Sequence, residues 1–108
     1  MNKVYIIGRI ARDLELKSLG DDNKSYIKFP LAVNEYNSST KEQVTNFIDI
    51  VAFDRRAELI NRFFSKGKQI SIKGHLRNRS YINQDNQKIY STSVVLDNFN
   101  FIEKKNSI

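Results

Sequence analysis

A chain of 108 residues and 12.6 kDa has room for one domain and no second core. Its residues are 40% hydrophobic and 28% charged, a globular composition; the absence of cysteine excludes disulfides, thiolate metal sites and cysteine nucleophiles, and the single histidine, His75, is too few for a histidine-built metal centre. Eighteen Lys and Arg against twelve Asp and Glu give a net charge of +6, which favours a polyanionic partner.

No apolar run exceeds four residues, so neither a membrane span nor a signal-peptide core is expected, and the expected home is the cytoplasm. The first predicted strand is 3–10, KVYIIGRI, with Gly8 suited to a bulge or sharp bend. Residues 14–17 read as its weak continuation, and Gly20-Asp21-Asp22-Asn23 as a turn. Segment 25–35 alternates, with Ile27, Phe29, Leu31 and Val33 on one face; Pro30 lacks a donor and belongs at an edge or bulge. A polar loop is expected at 36–43, then a third strand at 44–53.

The spacing predicts one helix at about 55–66, capped by Asp54 and stopped by Gly67 as the residue just past its end. Its buried stripe would be Ala57, Ile60, Phe63 and Phe64. Strands follow at 68–81 and 87–96, joined by the turn-like Asn83-Gln84-Asp85-Asn86, and Phe99 to Ile102 read as added edge pairing. The class is therefore all-β with one helix. Five strands with the helix between the third and fourth is the order of a five-stranded OB-fold barrel; another small α+β domain would share the element count.

Strand faces carry the functional signal. Lys73, His75, Arg77, Arg79 and Tyr81 alternate onto one face, opposite Ile70, Ile72, Gly74 and Leu76, which form the natural core side. A basic stripe ending in a ring fits a nucleic-acid strand, guanidinium groups on phosphates and the ring on a base. On the third strand Phe47, Asp49, Val51 and Phe53 share one face and Ile48, Ile50 and Ala52 the other. Both faces are apolar. Burying the isoleucines leaves two exposed rings roughly 20 Å apart; periodicity alone leans to the reverse, with both phenylalanines buried. Asp49 between them argues against passing phosphates. No catalytic residues are expected, since His75 has no orienting carboxylate or hydroxyl that the sequence names, and no metal or cofactor motif occurs.

These pieces resemble the bacterial single-stranded-DNA-binding protein family over about 1–103. The matching residues are Asn2-Lys3-Val4 with Ile7-Gly8-Arg9-Ile10, Phe29 with Leu31-Ala32-Val33-Asn34, Phe47-Ile48 with Val51 and Phe53, Ala57-Glu58 with Phe63 and Lys66-Gly67, and Ile72 with Gly74, Leu76, Arg77, Arg79 and Tyr81. The resemblance implies an OB-fold, a homo-oligomer (in most relatives a tetramer), and non-specific binding of single-stranded DNA in replication, recombination or repair. It implies base-stacking roles for Phe47, Phe53 and Tyr81. A fourth ring of the family falls at Asn37 here, one residue after Tyr36; in a regular strand that offset turns the side chain to the other face, so Tyr36 would stack only if its loop is irregular. Phosphate contacts are expected from Lys73, Arg77, Arg79, Arg56, Arg9 and Lys68. The chain stops in a short basic tail, 104–108, where relatives often carry a linker and an acidic tip, so acidic-tail recruitment of replication proteins is not expected. A primosome-type or RNA-binding protein of the same fold, or a protein-docking module using the same rings, are the alternative readings.

Overall fold

The computed structural model describes residues 1–20 and 24–102; the rest of the turn predicted at 20–23 and the tail at 104–108 lie outside the described residues. In chain order the elements are β1 (Val4–Ile10), β2 (Lys17–Ser18), β3 (Ser25–Asn37), β4 (Glu42–Phe53), α1 (Asp54–Phe63), β5 (Gln69–Ile82) and β6 (Lys88–Phe101). The sheet order is β1-β5-β6-β4-β3-β2, and a further pairing of β1 with β3 closes the five long strands into a barrel. With β2 only two residues long, the helix stands between the third and fourth long strands, as expected.

Alternation builds the core. Ile27, Phe29 and Leu31 of β3, Ile50 and Ala52 of β4, Ile70 and Ile72 of β5, and Val94 and Leu96 of β6 fill the interior, and α1 plugs one end with Ala57 and Ile60. Of the residues predicted to continue the first strand, only Lys17 joins a ladder; Leu14 packs against the core instead. Pro30 keeps the barrel edge that faces β1: its carbonyl accepts from the N–H of Ala11 at 3.0 Å, so its missing donor falls on that same side, away from β4. Gly8 marks no bulge. It is a close approach, where a Cβ would meet the carbonyl oxygen of Ala32 at 2.5 Å.

The register shift lies between Lys73 and Gly74, where β6 inserts Asp97 as an extra residue. The bulge is pinned twice. The Asp97 carboxylate takes His75 Nδ1 at 3.1 Å, and its backbone carbonyl accepts from Arg56 Nε.

Several expectations are corrected. The loop at 36–43 is half ladder: β3 and β4 pair out to Asn37↔Glu42, because Asn37 Oδ1 accepts from the N–H of Ser39 at 2.9 Å and closes the turn with its own side chain. The helix ends at Phe63 rather than at 66. Phe64 goes extended so that its ring stacks on Phe101 at 4.9 Å and meets Phe99 edge-on. Asp54 is the first helical residue and not the cap; its carboxylate accepts from the N–H of Ser25 at 3.1 Å, tying the helix start to β3. Gly67, at φ +92°, serves the following turn, beyond the true helix end, and donates to the carbonyl of Ile10. Phe63, the last helical residue, is exposed, its ring meeting the likewise exposed Phe101 edge-on at 6.1 Å. Leu76 lies on the core side of β5 but beyond the barrel rim, and is exposed.

Phe29→Ala, which empties a fully buried site, is expected to cost about 3–5 kcal/mol. Gly74→Ala is expected to cost about 1–3 kcal/mol, since its Cβ would run into the carbonyl oxygen of Val95 on the paired strand. Urea unfolding of both variants measures these losses.

Candidate nucleic-acid interface

Residues directly opposed in a ladder share a face. On the outside of the barrel the β3–β4 register therefore sets Tyr26 beside Phe53, Lys28 beside Val51, Pro30 beside Asp49 and Ala32 beside Phe47. The β5–β6 register sets Arg77 beside Ser93, Arg79 beside Ser91 and Tyr81 beside Ile89. Parallel pairing of Val51 with Val95, which itself faces His75, joins the two halves into one outer surface.

That surface is concave. A groove of ≈ 370 Å³ is lined by Tyr26, Lys28, Phe53, Arg77, Arg79 and Ser93. It runs on, through Lys28, Arg79 and Ser93, into a second groove of ≈ 300 Å³ that reaches Asp49 and Tyr81. The expectation that both phenylalanines of β4 are buried is overturned. Ile50 and Ala52 fill the core at 0% exposure, while Phe47 is 64% exposed and Phe53 half-buried on the outer face. The reason is the partner strand: Phe29 takes the interior position opposite Ile50, which fixes the inward set of β4. Tyr81, 57% exposed, stands on the projecting β5–β6 hairpin.

Tyr36 sits in a regular ladder opposite Gln43, and its surroundings are not an irregular loop. Alternation from Ala32 nevertheless puts Tyr36 on the outer face, the one that carries Phe47, with its ring 64% exposed. Asn37 turns the other way and is occupied by its own turn.

The predicted basic residues divide. Arg77 and Arg79 line the groove, and Lys73 continues their stripe, with its ammonium 5.9 Å from the ring centre of Tyr5. Arg56 is engaged at the bulge. Arg9 and Lys68 lie in a separate cleft of ≈ 310 Å³ with Phe63, Phe64 and Phe101, where Arg9 donates to the carbonyl of Gly67 at 3.0 Å. His75 does have an orienting carboxylate, that of Asp97; among the described residues no hydroxyl hydrogen-bonds its ring. Tyr26, Lys28 and Ser93 are groove residues that strand-by-strand reading missed. The signal was present, because placing Ile27 and Phe29 inside places Tyr26 and Lys28 outside.

Comparison with known proteins gives the same direction. The model of the single-strand binding protein family matches residues 1–102. A single-stranded DNA-binding protein of Staphylococcus aureus (strain MRSA252) is 36% identical over 108 residues, covering 99% of this chain and 69% of the relative. One from Clostridium perfringens is 37% identical over 106 residues, covering 98% of this chain and 69% of the relative. Among solved structures, an SSB of Plasmodium falciparum in complex with single-stranded DNA superposes with a TM-score of 0.83 at 26% identity, covering 95% of this chain and 96% of that one. With its barrel, its outer groove and a family match over nearly its whole length, this chain belongs to the single-strand binding protein family.

Proposed function

We propose that the outer groove binds single-stranded DNA with little sequence preference, and that the chain acts as a non-enzymatic binder protecting such strands in replication, recombination or repair. The observation that carries this is the gathering, on one outer surface, of exposed rings with the Arg77 and Arg79 guanidinium groups. Every base has a π-face, so stacking on Phe47, Phe53, Tyr81 and Tyr36 holds a strand without reading it, at about 1–3 kcal/mol per base. Duplex DNA keeps its bases stacked on each other and offers no such face.

Arg77 and Arg79 take the phosphates between stacked bases, and Lys73 extends the stripe. Arg56, Arg9 and Lys68 meet only a strand long enough to leave the groove. Asp49 sits among Lys28, Arg79 and Tyr81, where its charge opposes a nearby phosphate and keeps the strand exchangeable.

The chain works as a homo-oligomer, a tetramer with residues 3–9 at an interface. Supporting this, β1 pairs with β3 only at Arg9 and Ile10, so Val4 to Gly8 keep an open edge among the described residues, and Tyr5 and Ile7 beside it are 71% and 55% exposed. The cytoplasm, on the nucleoid, is where such a partner is met.

Three measurements test this reading. Phe47→Ala, Phe53→Ala and Tyr81→Ala are expected to weaken oligo-dT binding by about 1–3 kcal/mol each while thermal melting falls far less than in Phe29→Ala; melting as deep as that control would make the rings structural. If about five phosphates are neutralised, log K falls against log salt with a slope near −3.5, and Arg77→Ala makes it shallower by about 0.7. A flat response, or tighter binding to oligo-rU than to oligo-dT, overturns the assignment. Light scattering at micromolar concentration is expected to give a multiple of 12.6 kDa; a monomeric mass removes the interface at β1.

A further inference from the structure

The described surface does not end at Phe53. Lys17 of β2 is opposed to Tyr26 of β3, and Tyr26 is opposed to Phe53 of β4. The three side chains therefore form one row across three neighbouring strands, each step about 4.7–4.9 Å. Tyr26 and Lys28 line the DNA groove and also an adjoining one of ≈ 530 Å³, whose remaining walls are Arg12, Asp13, Glu15 and Lys17. Arg12 is held over β3 by a 3.4 Å hydrogen bond to the carbonyl of Lys28. Three cations outnumber two carboxylates on this rim, and a half-buried ring lies at the junction.

The geometry points to a further nucleotide subsite at this junction: the Tyr26 ring takes the base that follows the one stacked on Phe53, and Lys17 and Lys28 take the flanking phosphates, carrying the strand across β3 toward Arg12. The chemistry fits a nucleotide and not an apolar ligand. One planar ring, flanked along the row by an ammonium on one side and the proposed Phe53 platform on the other, repeats at one strand spacing the ring-plus-cation unit of the main groove. This subsite rests on the single-stranded-DNA reading above.

The chain contains no tryptophan, so Tyr26→Trp installs a single indole reporter at the junction. Tyr90→Trp is the comparison: Tyr90 is opposed to Ser80, on the reverse face of the hairpin from Tyr81, and is 66% exposed. Each variant is titrated with labelled oligo-dT of about 16 nucleotides, long enough to fill one barrel's surface, following label anisotropy and indole emission together. The subsite predicts quenching at Tyr26→Trp that saturates with the anisotropy, and little at Tyr90→Trp. It also predicts that Tyr26→Leu, which keeps an apolar body on the outer face, weakens binding by roughly 5- to 150-fold. Lys17→Gln with Lys28→Gln is expected to flatten the salt slope by about 1.4. An unquenched indole in a saturated complex, with Tyr26→Leu at unchanged affinity, overturns the subsite while leaving the main groove intact. No anisotropy change with the unaltered chain overturns the DNA reading itself.

Discussion

Phe29 and Ile50 face each other inside the barrel, and nearly everything on its outside follows from that one pairing. Both side chains are fully buried. Because a strand has a period of two, holding them inward forces Tyr26, Lys28, Phe47 and Phe53 outward. A slip of one residue between β3 and β4 would expose the isoleucines and bury the rings. The hydrophobic effect thus fixes the binding face indirectly. Burying a Phe and an Ile contributes about 1.5–3 kcal/mol each, and that energy holds the register in which the outer rings are displayed.

The two long hairpins extend this logic past the core. Beyond Val33 and beyond Leu76 the strands have no interior left to cover, and their side chains are exposed on both faces. They keep their ladders through local chemistry. Asn37 closes one tip and Asn83 the other, each carboxamide oxygen accepting backbone N–H groups of its own turn. Such arms open and close at low free-energy cost compared with the barrel. Tyr36 and Tyr81 are carried on these arms, whereas Phe53 stands at the barrel wall.

Much of this was legible in the residues. The alternation of β3, the basic stripe of β5 and the helix between the third and fourth long strands could be read directly, because each is a local periodicity. The burial of β4 could not. Both its faces are apolar, and only the partner strand decides between them. The helix end was misplaced for a similar reason: Phe64 fits a helical stripe by spacing, but the stacked Phe101, far away in sequence, draws it into extended backbone. The His75–Asp97 pair was invisible because the residues are 22 apart and meet across a bulge that shifts the register by one. Tyr26 was overlooked although its position followed from Ile27. The groove becomes visible only when two hairpins are laid side by side.

The extra residue at Asp97 has a consequence for how this sequence tolerates change. Before it, the even positions Val94 and Leu96 point inward; after it, the odd positions Phe99 and Phe101 share the side of Ile72 and Ile70. The bulge is a parity switch in the last strand. Losing one residue there would not merely shorten a loop. It would invert the facing of every side chain downstream and strip Phe64 of its aromatic neighbours, whereas insertions at the tips around Ser39 or Asp85 would leave both ladders in phase. Length variation among descendants of this chain should therefore accumulate at the hairpin tips and be purged from the stretch between Val94 and Phe101.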